Sequence, residues 1–167
     1  MDIIASASEN WGLGIRGRLL FSIPEDMKFF RSMTMGKTVV MGRRTLESFP
    51  GGRPLKGRTN LVLTRDAAFQ AEGVCVLRSL DEARDRLRGL GPDDVFVIGG
   101  ESVYRLFLPY CRRAYITRMG IRPEADAFLP DFDALPGWRL ADPGQELRSG
   151  EISYRFTRYE NEAAAAL

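Results

Sequence analysis

One acidic residue, Asp26, lies on the apolar side of a predicted helix. Asp26, Phe30 and Met33 are spaced at i, i+4 and i+7, with Phe29 at i+3, so the carboxylate shares a face with large apolar side chains. A buried carboxylate can hydrogen-bond a ligand cation or amidine, and burial raises its pKa. The alternative is an Asp at a helix start that serves only the local amides and the helix dipole. The spacing leaves both hypotheses open.

The helix that carries Asp26 is predicted to begin at Ser22-Ile23-Pro24-Glu25. Ser22 and Glu25 have the spacing of a capping box. Pro24 falls in the first turn, where its missing N–H costs little. The pattern therefore places Asp26 in the first turn of the helix.

The chain contains no histidine. This excludes His-based catalytic triads and most zinc sites, so proton chemistry near neutral pH is left to a carboxylate, Tyr, Lys, Cys or bound water. Cys75 and Cys111 have neither the CxxC spacing nor the spacing of a metal finger, and we expect them to be small buried apolar residues. We expect no metal site.

A glycine-rich stretch, Gly12-Leu13-Gly14-Ile15-Arg16-Gly17, follows the first predicted strand. It satisfies the G-x-G-x-x-G pattern of dinucleotide-binding Rossmann turns. A Rossmann turn must lead directly into a helix, however, and Arg18 to Ser22 intervene here. The pattern fits a mobile lid at least as well, because glycine supplies the backbone freedom that a closing loop uses.

Two further stretches run from a strand through glycine into a helix: Thr38 to Thr45 and Val97 to Tyr104. Strand ends and the helices that follow them favour phosphate groups in open α/β sheets. Arg43 and Arg44 stand where an NAD site would have an acid, which points to the 2′-phosphate of NADP, and Arg65 could join them. The alternative is that these arginines are solvated surface charges.

A separate arginine, Arg58, lies at the start of a predicted strand in the stretch Pro54 to Asn60. A guanidinium group at such a position can hold a carboxylate with two parallel hydrogen bonds. This predicts a second, carboxylate-binding point in the site.

Short β-branched runs and one capped helix indicate the elements that position these residues. Strands are predicted at Ile3 to Ala7, Thr38 to Met41, Leu61 to Leu63, Val74 to Leu77 and Val95 to Ile98. A helix is predicted to start at Ser79-Leu80-Asp81-Glu82 and to stop at Gly89. Ala114 to Arg118, Trp138 to Ala141 and Ile152 to Arg158 alternate apolar and polar residues, which favours an antiparallel C-terminal end. The predicted class is α/β with a mixed sheet.

Length and composition favour one domain. The chain has 167 residues, 44% of them hydrophobic and 28% charged, close to average globular usage. We expect a single domain over residues 1–160 and a flexible tail over 161–167.

The charge balance also limits the partners. The 24 Lys and Arg exceed the 22 Asp and Glu by a net charge of only +2, which predicts no nucleic-acid or membrane partner and makes any anion site local. No apolar run approaches ~20 residues, and the N-terminus lacks the features of a signal peptide. We expect a cytoplasmic protein.

Together these motifs resemble dihydrofolate reductase of the bacterial type, over almost the whole chain from about Ile3 to Tyr159. The resemblance lies in their order and spacing. Its carriers are Ile4-Ala5, Ile23-Pro24-Glu25-Asp26-Met27 with Phe30, Val40-Met41-Gly42-Arg43 with Thr45 and Glu47-Ser48, Pro54-Leu55 with Gly57-Arg58-Thr59-Asn60, Val97-Ile98-Gly99-Gly100 with Tyr104, and Tyr115-Ile116-Thr117.

The resemblance implies a central, mostly parallel eight-stranded sheet with flanking helices and an adenosine-binding part at about 38–105. It implies hydride transfer from NADPH to C6 of dihydrofolate, protonation at N5, and a role in one-carbon metabolism. Antifolate inhibitors and a monomeric state are implied as well. Asp26 would hold the pterin 2-amino group and N3, supported by Thr117, and water would deliver the proton.

The remaining site residues also follow from the resemblance. Arg58 would pair with the glutamate α-carboxylate, while the pterin and aminobenzoyl pocket would be lined by Ile4, Ala5, Met27, Phe30, Phe49, Leu55 and Ile98. The nicotinamide end would meet Ser6, Leu13, Gly14 and Leu19. The adenosine phosphate would contact Gly42, Arg43, Arg44, Thr45, Leu63, Thr64 and Arg65, and the pyrophosphate and ring would contact Ile98, Gly99, Gly100, Ser102, Val103 and Tyr104.

The chain departs from the family pattern at a few positions. Leu20-Phe21 stands where many members have Pro-Trp, and phenylalanine lacks the indole N–H that could hold a water near Asp26. Ser6 replaces a commoner alanine, and Pro50 adds a residue before Gly51-Gly52. Two alternatives remain: a pyrimidine reductase of riboflavin synthesis, and a nucleotide-binding regulatory module without turnover.

Overall fold

The computed structural model describes all 167 residues. It contains twelve strands: β1 (Asp2–Ala7), β2 (Gly12–Ile15), β3 (Arg18–Leu19), β4 (Thr38–Gly42), β5 (Thr59–Leu63), β6 (Val74–Leu77), β7 (Val95–Gly99), β8 (Arg113–Met119), β9 (Ala127–Phe128), β10 (Trp138–Asp142), β11 (Leu147–Ser149) and β12 (Ile152–Asn161). Its α-helices are α1 (Pro24–Thr34), α2 (Arg43–Ser48), α3 (Leu80–Leu87) and α4 (Glu101–Phe107).

The main sheet has eight strands in the order β10-β12-β8-β1-β7-β4-β5-β6, and β11 pairs beside β12. The strands from β8 to β6 along this order run parallel to one another. At the other end of the sheet, β12 runs antiparallel to both of its neighbours, β8 and β10. The predicted α/β class, the mixed sheet and its antiparallel C-terminal end are therefore confirmed.

Alternation along the strands gives the sheet two apolar faces. Ile3 of β1 and Val40 of β4 belong to a first cluster, which also contains side chains of α3 and α4. Their neighbours Ile4 and Val39 belong to a second cluster, against which α1 packs. Continuous β-branched runs are typical of strands buried on both faces, as these are. Helix α1 thus lies on the face that carries Ile4.

The two predicted helix starts have different outcomes. Ser79 caps α3 as expected, and its hydroxyl accepts the backbone N–H of Glu82 at 3.1 Å. The capping box predicted at Ser22 and Glu25 is wrong, since the N-cap of α1 is Ile23 and no side chain caps it. Pro24 occupies the first helical position, which moves Ser22 one residue too far from the helix to reach its amides.

The glycine-rich stretch forms a hairpin. β2 pairs with β3 on one side and with β9 on the other, in a separate three-stranded sheet. Arg16 and Gly17, with φ of 50° and 74°, make the turn between β2 and β3. A strand rather than a helix follows the glycines, so the Rossmann alternative is excluded. The closing motion of a lid stays a prediction.

The C-terminal residues lie against the domain. β12 extends to Asn161, the backbone N–H of Ala165 donates to the carbonyl of Pro109 at 2.9 Å, and Leu167 packs against the first cluster. The flexibility of 161–167 stays a prediction. Both cysteines are free, with Cys111 buried and Cys75 half-buried. None of the helices has the length and apolar character needed to cross a membrane.

Candidate active site

The predicted site residues gather at one edge of the main sheet. Parallel strands bring their carboxyl ends together, and the register aligns Ser6 with Thr117, Met41 with Gly99, and Gly42 with Leu63. Ligands of open α/β sheets bind outside these strand ends. Motifs that lie far apart in the sequence thereby meet in one place.

Asp26 is held between α1 and the centre of the sheet. Its carboxylate lies near the side chains of Thr117 and Ser6, which are register partners on β8 and β1 and so share one face. Burial raises the pKa of the Asp26 carboxyl, while the nearby Thr117 and Ser6 side chains lower it and offset part of the rise. The direction agrees with the expectation from the sequence, and the role of Thr117 in supporting a ligand contact stays a prediction.

Ser6 has a place that the sequence argument missed. The resemblance assigned it to the nicotinamide end, which stays a prediction, and its side chain also lies near enough to the Asp26 carboxylate to lower the pKa of that group. Two-residue alternation puts Ser6 on the face of Ile4, toward α1. Pairing β1 with β8 in register would have revealed the contact, but strand order is not encoded locally.

We expect Ser6→Ala to raise the pKa of Asp26. The substitution removes a nearby hydroxyl group that favours the ionised carboxylate, while burial still favours the protonated acid. Carbon-13 NMR titration of the Asp26 carboxyl measures the shift. Ser32→Ala is the matched control, because the Ser32 hydroxyl donates to Phe29 within the same helix. An unchanged Asp26 pKa in Ser6→Ala would remove Ser6 from this role.

Apolar side chains surround the carboxylate. Ile4 and Ile98 are buried in the second cluster, and Phe30, Phe49 and Leu55 are half-buried against it. They form the wall that the resemblance implied for a flat ring system. A carboxylate beside such a wall can bind a polar edge of a ring whose faces are apolar.

Two residues expected in this wall have other surroundings. Ala5 points to the opposite face of the sheet and packs against the first cluster, so its side chain does not face Asp26. Met27 is 60% exposed, and the Ser22 hydroxyl contacts its sulfur at 3.4 Å. A pocket role for Met27 stays a prediction.

Arg58 is oriented by two contacts. Its Nε donates to the carbonyl of Lys56 at 3.0 Å, and one terminal nitrogen donates to Oγ1 of Thr34 at 3.2 Å. Burial lowers the pKa of its guanidinium, and the charge of Arg31 lowers it further. A guanidinium group has five N–H donors, so the other terminal nitrogen remains available for a carboxylate. Thr34 and Arg31 were not found from the sequence.

The arginines expected to bind phosphate lie at the ends of β4 and β5. Arg43 forms ion pairs with Asp66 at 3.0 Å and with Glu47 at 3.6 Å. Arg44 and Arg65 are exposed. The half-buried Leu63 ends β5, and the half-buried Thr64 follows it, next to Arg65. Asp66 and Glu47 therefore set the position of Arg43, a contact that no local pattern indicated.

Two glycines at the end of β7, Gly99 and Gly100, leave a stretch of backbone without side chains. Gly99 has φ of 125°, and a Cβ there would lie 3.3 Å from the Tyr104 ring and 3.4 Å from Oγ1 of Thr45. The peptide bond to Gly100 is cis. A Cβ on Gly42 would lie 3.2 Å from Val103. The backbone at this turn is therefore open to close approach by a ligand.

Tyr104 links this turn to the Asp26 side. Its hydroxyl donates to the carbonyl of Ile4 at 2.9 Å. Burial, and then the charge of Asp26, raise the pKa of the Tyr104 hydroxyl, so it stays protonated at neutral pH. Ser102, in the first turn of α4, is exposed.

The hairpin that carries Leu13, Gly14 and Leu19 is attached to β9. The Asp126 carboxylate accepts the backbone N–H of Arg16 at 2.9 Å, and the Asp126 N–H donates to Gly14. Phe128 N–H donates in turn to the Glu101 carboxylate at 2.9 Å. Leu13 is buried, whereas Leu19 is 69% exposed. The hairpin is thus connected to the first residue of α4.

The arrangement suits two ligands side by side. One is a ring with a polar edge that Asp26 could bind and a carboxylate tail that Arg58 could bind. The other is a phosphorylated dinucleotide, which could bind at the Gly99-Gly100 turn and at the arginines that end β4 and β5. No cluster of three or more His, Cys, Asp or Glu side chains is positioned to hold a metal ion.

Comparison with known proteins agrees with this description. The profile of a family described as dihydrofolate reductase matches residues 1–161. A dihydrofolate reductase of Mycobacterium tuberculosis is 40% identical over 151 residues, covering 88% of this chain and 89% of the relative. A solved dihydrofolate reductase from Enterococcus faecalis, complexed with NADP(H) and RAB-propyl, superposes with a TM-score of 0.81 at 31% identity and covers 96% of this chain and 95% of that one.

Some relatives are longer. A bifunctional dihydrofolate reductase-thymidylate synthase of Glycine max is 37% identical over 177 residues, covering 95% of this chain. The chain spans about 33% of that protein's length. The similarity to the bifunctional relatives is thus confined to about a third of each of them.

Proposed function

This chain belongs to the dihydrofolate reductase family, whose members are NADPH-dependent oxidoreductases, and we propose that the cleft around Asp26 reduces 7,8-dihydrofolate to 5,6,7,8-tetrahydrofolate. The observation that carries the proposal is the Asp26 carboxylate, half-buried on α1 beside Ser6 and Thr117 of two central strands. A single acid in an apolar wall is what a pterin requires at its 2-amino and N3 edge. The product supplies one-carbon metabolism.

Asp26 orients the pterin and favours its protonated form. Its two oxygens would accept hydrogen bonds from the 2-amino group and from N3, beside the side chains of Thr117 and Ser6. The chain contains no histidine, and water would deliver the proton to N5. NADPH, when bound, supplies the hydride that C6 accepts.

Phe21 closes the pocket beside the proton path. It is 8% exposed and packs with Ile23, Met119 and Tyr154. A phenyl ring excludes bulk water but donates no hydrogen bond. Phe21 itself therefore cannot hold the water that delivers the proton by a hydrogen bond.

The cofactor fits the other half of the site. A Cβ at Gly99 or Gly42 would fill space close to Tyr104, Thr45 or Val103, so the bare backbone suits a pyrophosphate. Arg43 and Arg65 would hold the 2′-phosphate, assisted by Arg44, Thr45 and Thr64. Leu13, Gly14 and Leu19 of the hairpin would cover the nicotinamide end.

Arg58 binds the α-carboxylate of the substrate's glutamate. We expect Arg58→Lys to raise KM for dihydrofolate by about 10- to 100-fold with kcat within about threefold, because an ammonium group lacks the fork that holds a carboxylate. Steady-state kinetics measure the change. A reduced pterin without the glutamate tail serves as control, and its KM should not change. A similar rise in KM for both substrates would place Arg58 outside the tail site.

The direct test of the function is the dihydrofolate-dependent oxidation of NADPH, followed by absorbance at ~340 nm. Consumption of NADPH that requires dihydrofolate and is lost in Asp26→Asn supports the proposal. Consumption with a pyrimidine of riboflavin synthesis instead would favour that reductase. Binding of NADPH without turnover would favour a regulatory module.

We further propose that the protein acts as a monomer in the cytoplasm and binds antifolates in the same cleft. One chain supplies both the Asp26 and the Arg43 sides of the site, so no second copy is needed to complete it. The adenosine-binding part at about 38–105 and the rest of residues 1–160 share one sheet. Light scattering measures the oligomeric state.

A further inference from the structure

The side chain of Glu101 connects α4 with β9. Glu101 is the first residue of α4 and directly follows the Gly99-Gly100 turn. Its carboxylate is half-buried, and Oε1 accepts the backbone N–H of Phe128 at 2.9 Å. The two residues are 27 positions apart in the chain. The contact therefore joins the turn that suits a pyrophosphate to a separate sheet.

This contact gives a partner to a strand that lies at an edge. The three-stranded sheet has the order β3-β2-β9, so β2 bonds only one side of β9. On that side the backbone N–H of Leu129 donates to the carbonyl of Trp11 at 2.9 Å. The N–H of Phe128 donates to Glu101 instead. A backbone N–H that is withdrawn from water needs such a partner, and the strand itself does not provide one.

The position of β9 in turn sets the position of the hairpin formed by β2 and β3. The register aligns Gly14 of β2 with Ala127 of β9. Between them and α4 lies the first apolar cluster, to which β2 contributes Leu13 and α4 contributes Val103. Two contacts thus lead from the Gly99-Gly100 turn to the hairpin, the first from Glu101 to β9 and the second from β9 to β2.

The charge of Glu101 does not by itself favour a cofactor. A carboxylate next to the Gly99-Gly100 turn repels a phosphate group that binds there. Arg105, one helical turn later, approaches Glu101 only to 4.0 Å, and both side chains are partly exposed, so this pair offsets the repulsion weakly. A favourable effect of Glu101 on the cofactor must therefore act through β9.

We propose that Glu101 is a positioning residue for the nicotinamide half of the cofactor. Its carboxylate holds β9, and through β9 the hairpin, where Leu13 and Gly14 would cover the nicotinamide. The helix that begins at the pyrophosphate end of the site thereby sets the position of the element at the nicotinamide end. The inference rests on the proposed function, since it requires the hairpin to cover the nicotinamide.

The test compares NADPH with a fragment that lacks only the nicotinamide ring, 2′-phosphoadenosine 5′-diphosphoribose. Isothermal titration calorimetry gives Kd for each, and the ratio of the fragment's Kd to that of NADPH measures the affinity that the nicotinamide adds. In Glu101→Ala this ratio should fall by about 5- to 20-fold, the range of moderate coupling between two sites. Both ligands carry the pyrophosphate, so any relief of charge repulsion at the turn cancels in the ratio.

Three further variants separate the hydrogen bond from the charge. Glu101→Asp keeps the charge but shortens the side chain by one methylene group, so the ratio should fall as in Glu101→Ala. Glu101→Gln removes the charge but keeps an oxygen that can accept the Phe128 N–H, and its ratio should stay within about threefold of the parent. Arg105→Gln removes the cation beside Glu101 and should change the ratio by less than about twofold.

Two results would overturn the inference. One is an unchanged ratio in Glu101→Ala and Glu101→Asp. The other is an equal fall in Glu101→Gln, which would assign the effect to the charge. Both ligands are titrated without dihydrofolate, so absence of NADPH oxidation would count against the proposed function alone, while the ratio still decides on Glu101.

Discussion

Asp26→Asn is expected to lower kcat/KM for dihydrofolate by about 100-fold or more at pH 7, with the Kd of NADPH within about twofold. An amide keeps the shape of the side chain but carries no charge to favour a protonated pterin. It also presents N–H donors where the pterin needs only acceptors. Steady-state kinetics and NADPH titration measure the two quantities separately.

The fold itself should tolerate this substitution. The pKa of Asp26 is raised in the folded protein, so stability decreases as pH rises from the unfolded value toward the raised one, and the ionised carboxylate opposes folding at pH 7. Removing it should leave Tm unchanged or higher at pH 7. Parallel loss of NADPH affinity or a clear fall in Tm would show that the activity loss reflects damage to the whole domain.

The double variant Arg43→Ala, Arg65→Ala is expected to weaken NADPH binding by about 10- to 100-fold while changing NADH binding by less than about twofold. Hydrogen bonds to charged groups contribute about 1.5–3 kcal/mol each, and only NADPH carries the 2′-phosphate. Asp66 and Glu47 add to the effect, because the loss of Arg43 leaves their charges uncompensated beside the phosphate. Fluorescence titration with both cofactors measures the ratio.

Asp66→Asn is the matched comparison for this prediction. It removes the ion pair at 3.0 Å but leaves the Arg43 guanidinium in place. NADPH affinity should stay the same or increase, since one competing negative charge is lost. If the double variant weakened both cofactors equally, the arginines would be acting on the shared part of the dinucleotide.

Patterns of local sequence sufficed for the elements of the main sheet. The β-branched runs at Thr38 to Met41 and Val95 to Ile98 became buried parallel strands because both faces of the sheet are covered. The apolar spacing around Asp26 placed its carboxylate toward the sheet for the same reason. The Ser22 cap failed because Pro24 set the first turn, a competition between two local preferences that spacing alone does not decide.

Contacts between distant segments could not be predicted in this way. The partnership of Ser6 with Asp26 depends on β1 lying beside β8, and that of Arg43 with Asp66 depends on β4 lying beside β5. Tertiary neighbours of this kind require the strand order, which the sequence specifies only through the whole fold.

The first strand of the chain lies in the middle of the sheet, and this has a consequence for how the protein acquires activity. β1 pairs with β7 and β8, about 90 to 110 residues later in the chain. Such non-local pairing slows folding, because long loops must close before the contacts form. During synthesis β1 must wait until β8 has left the ribosome. Ser6 and Thr117, which lie beside Asp26, come from these two strands, so this side of the site cannot be assembled before residue 117 has been synthesised.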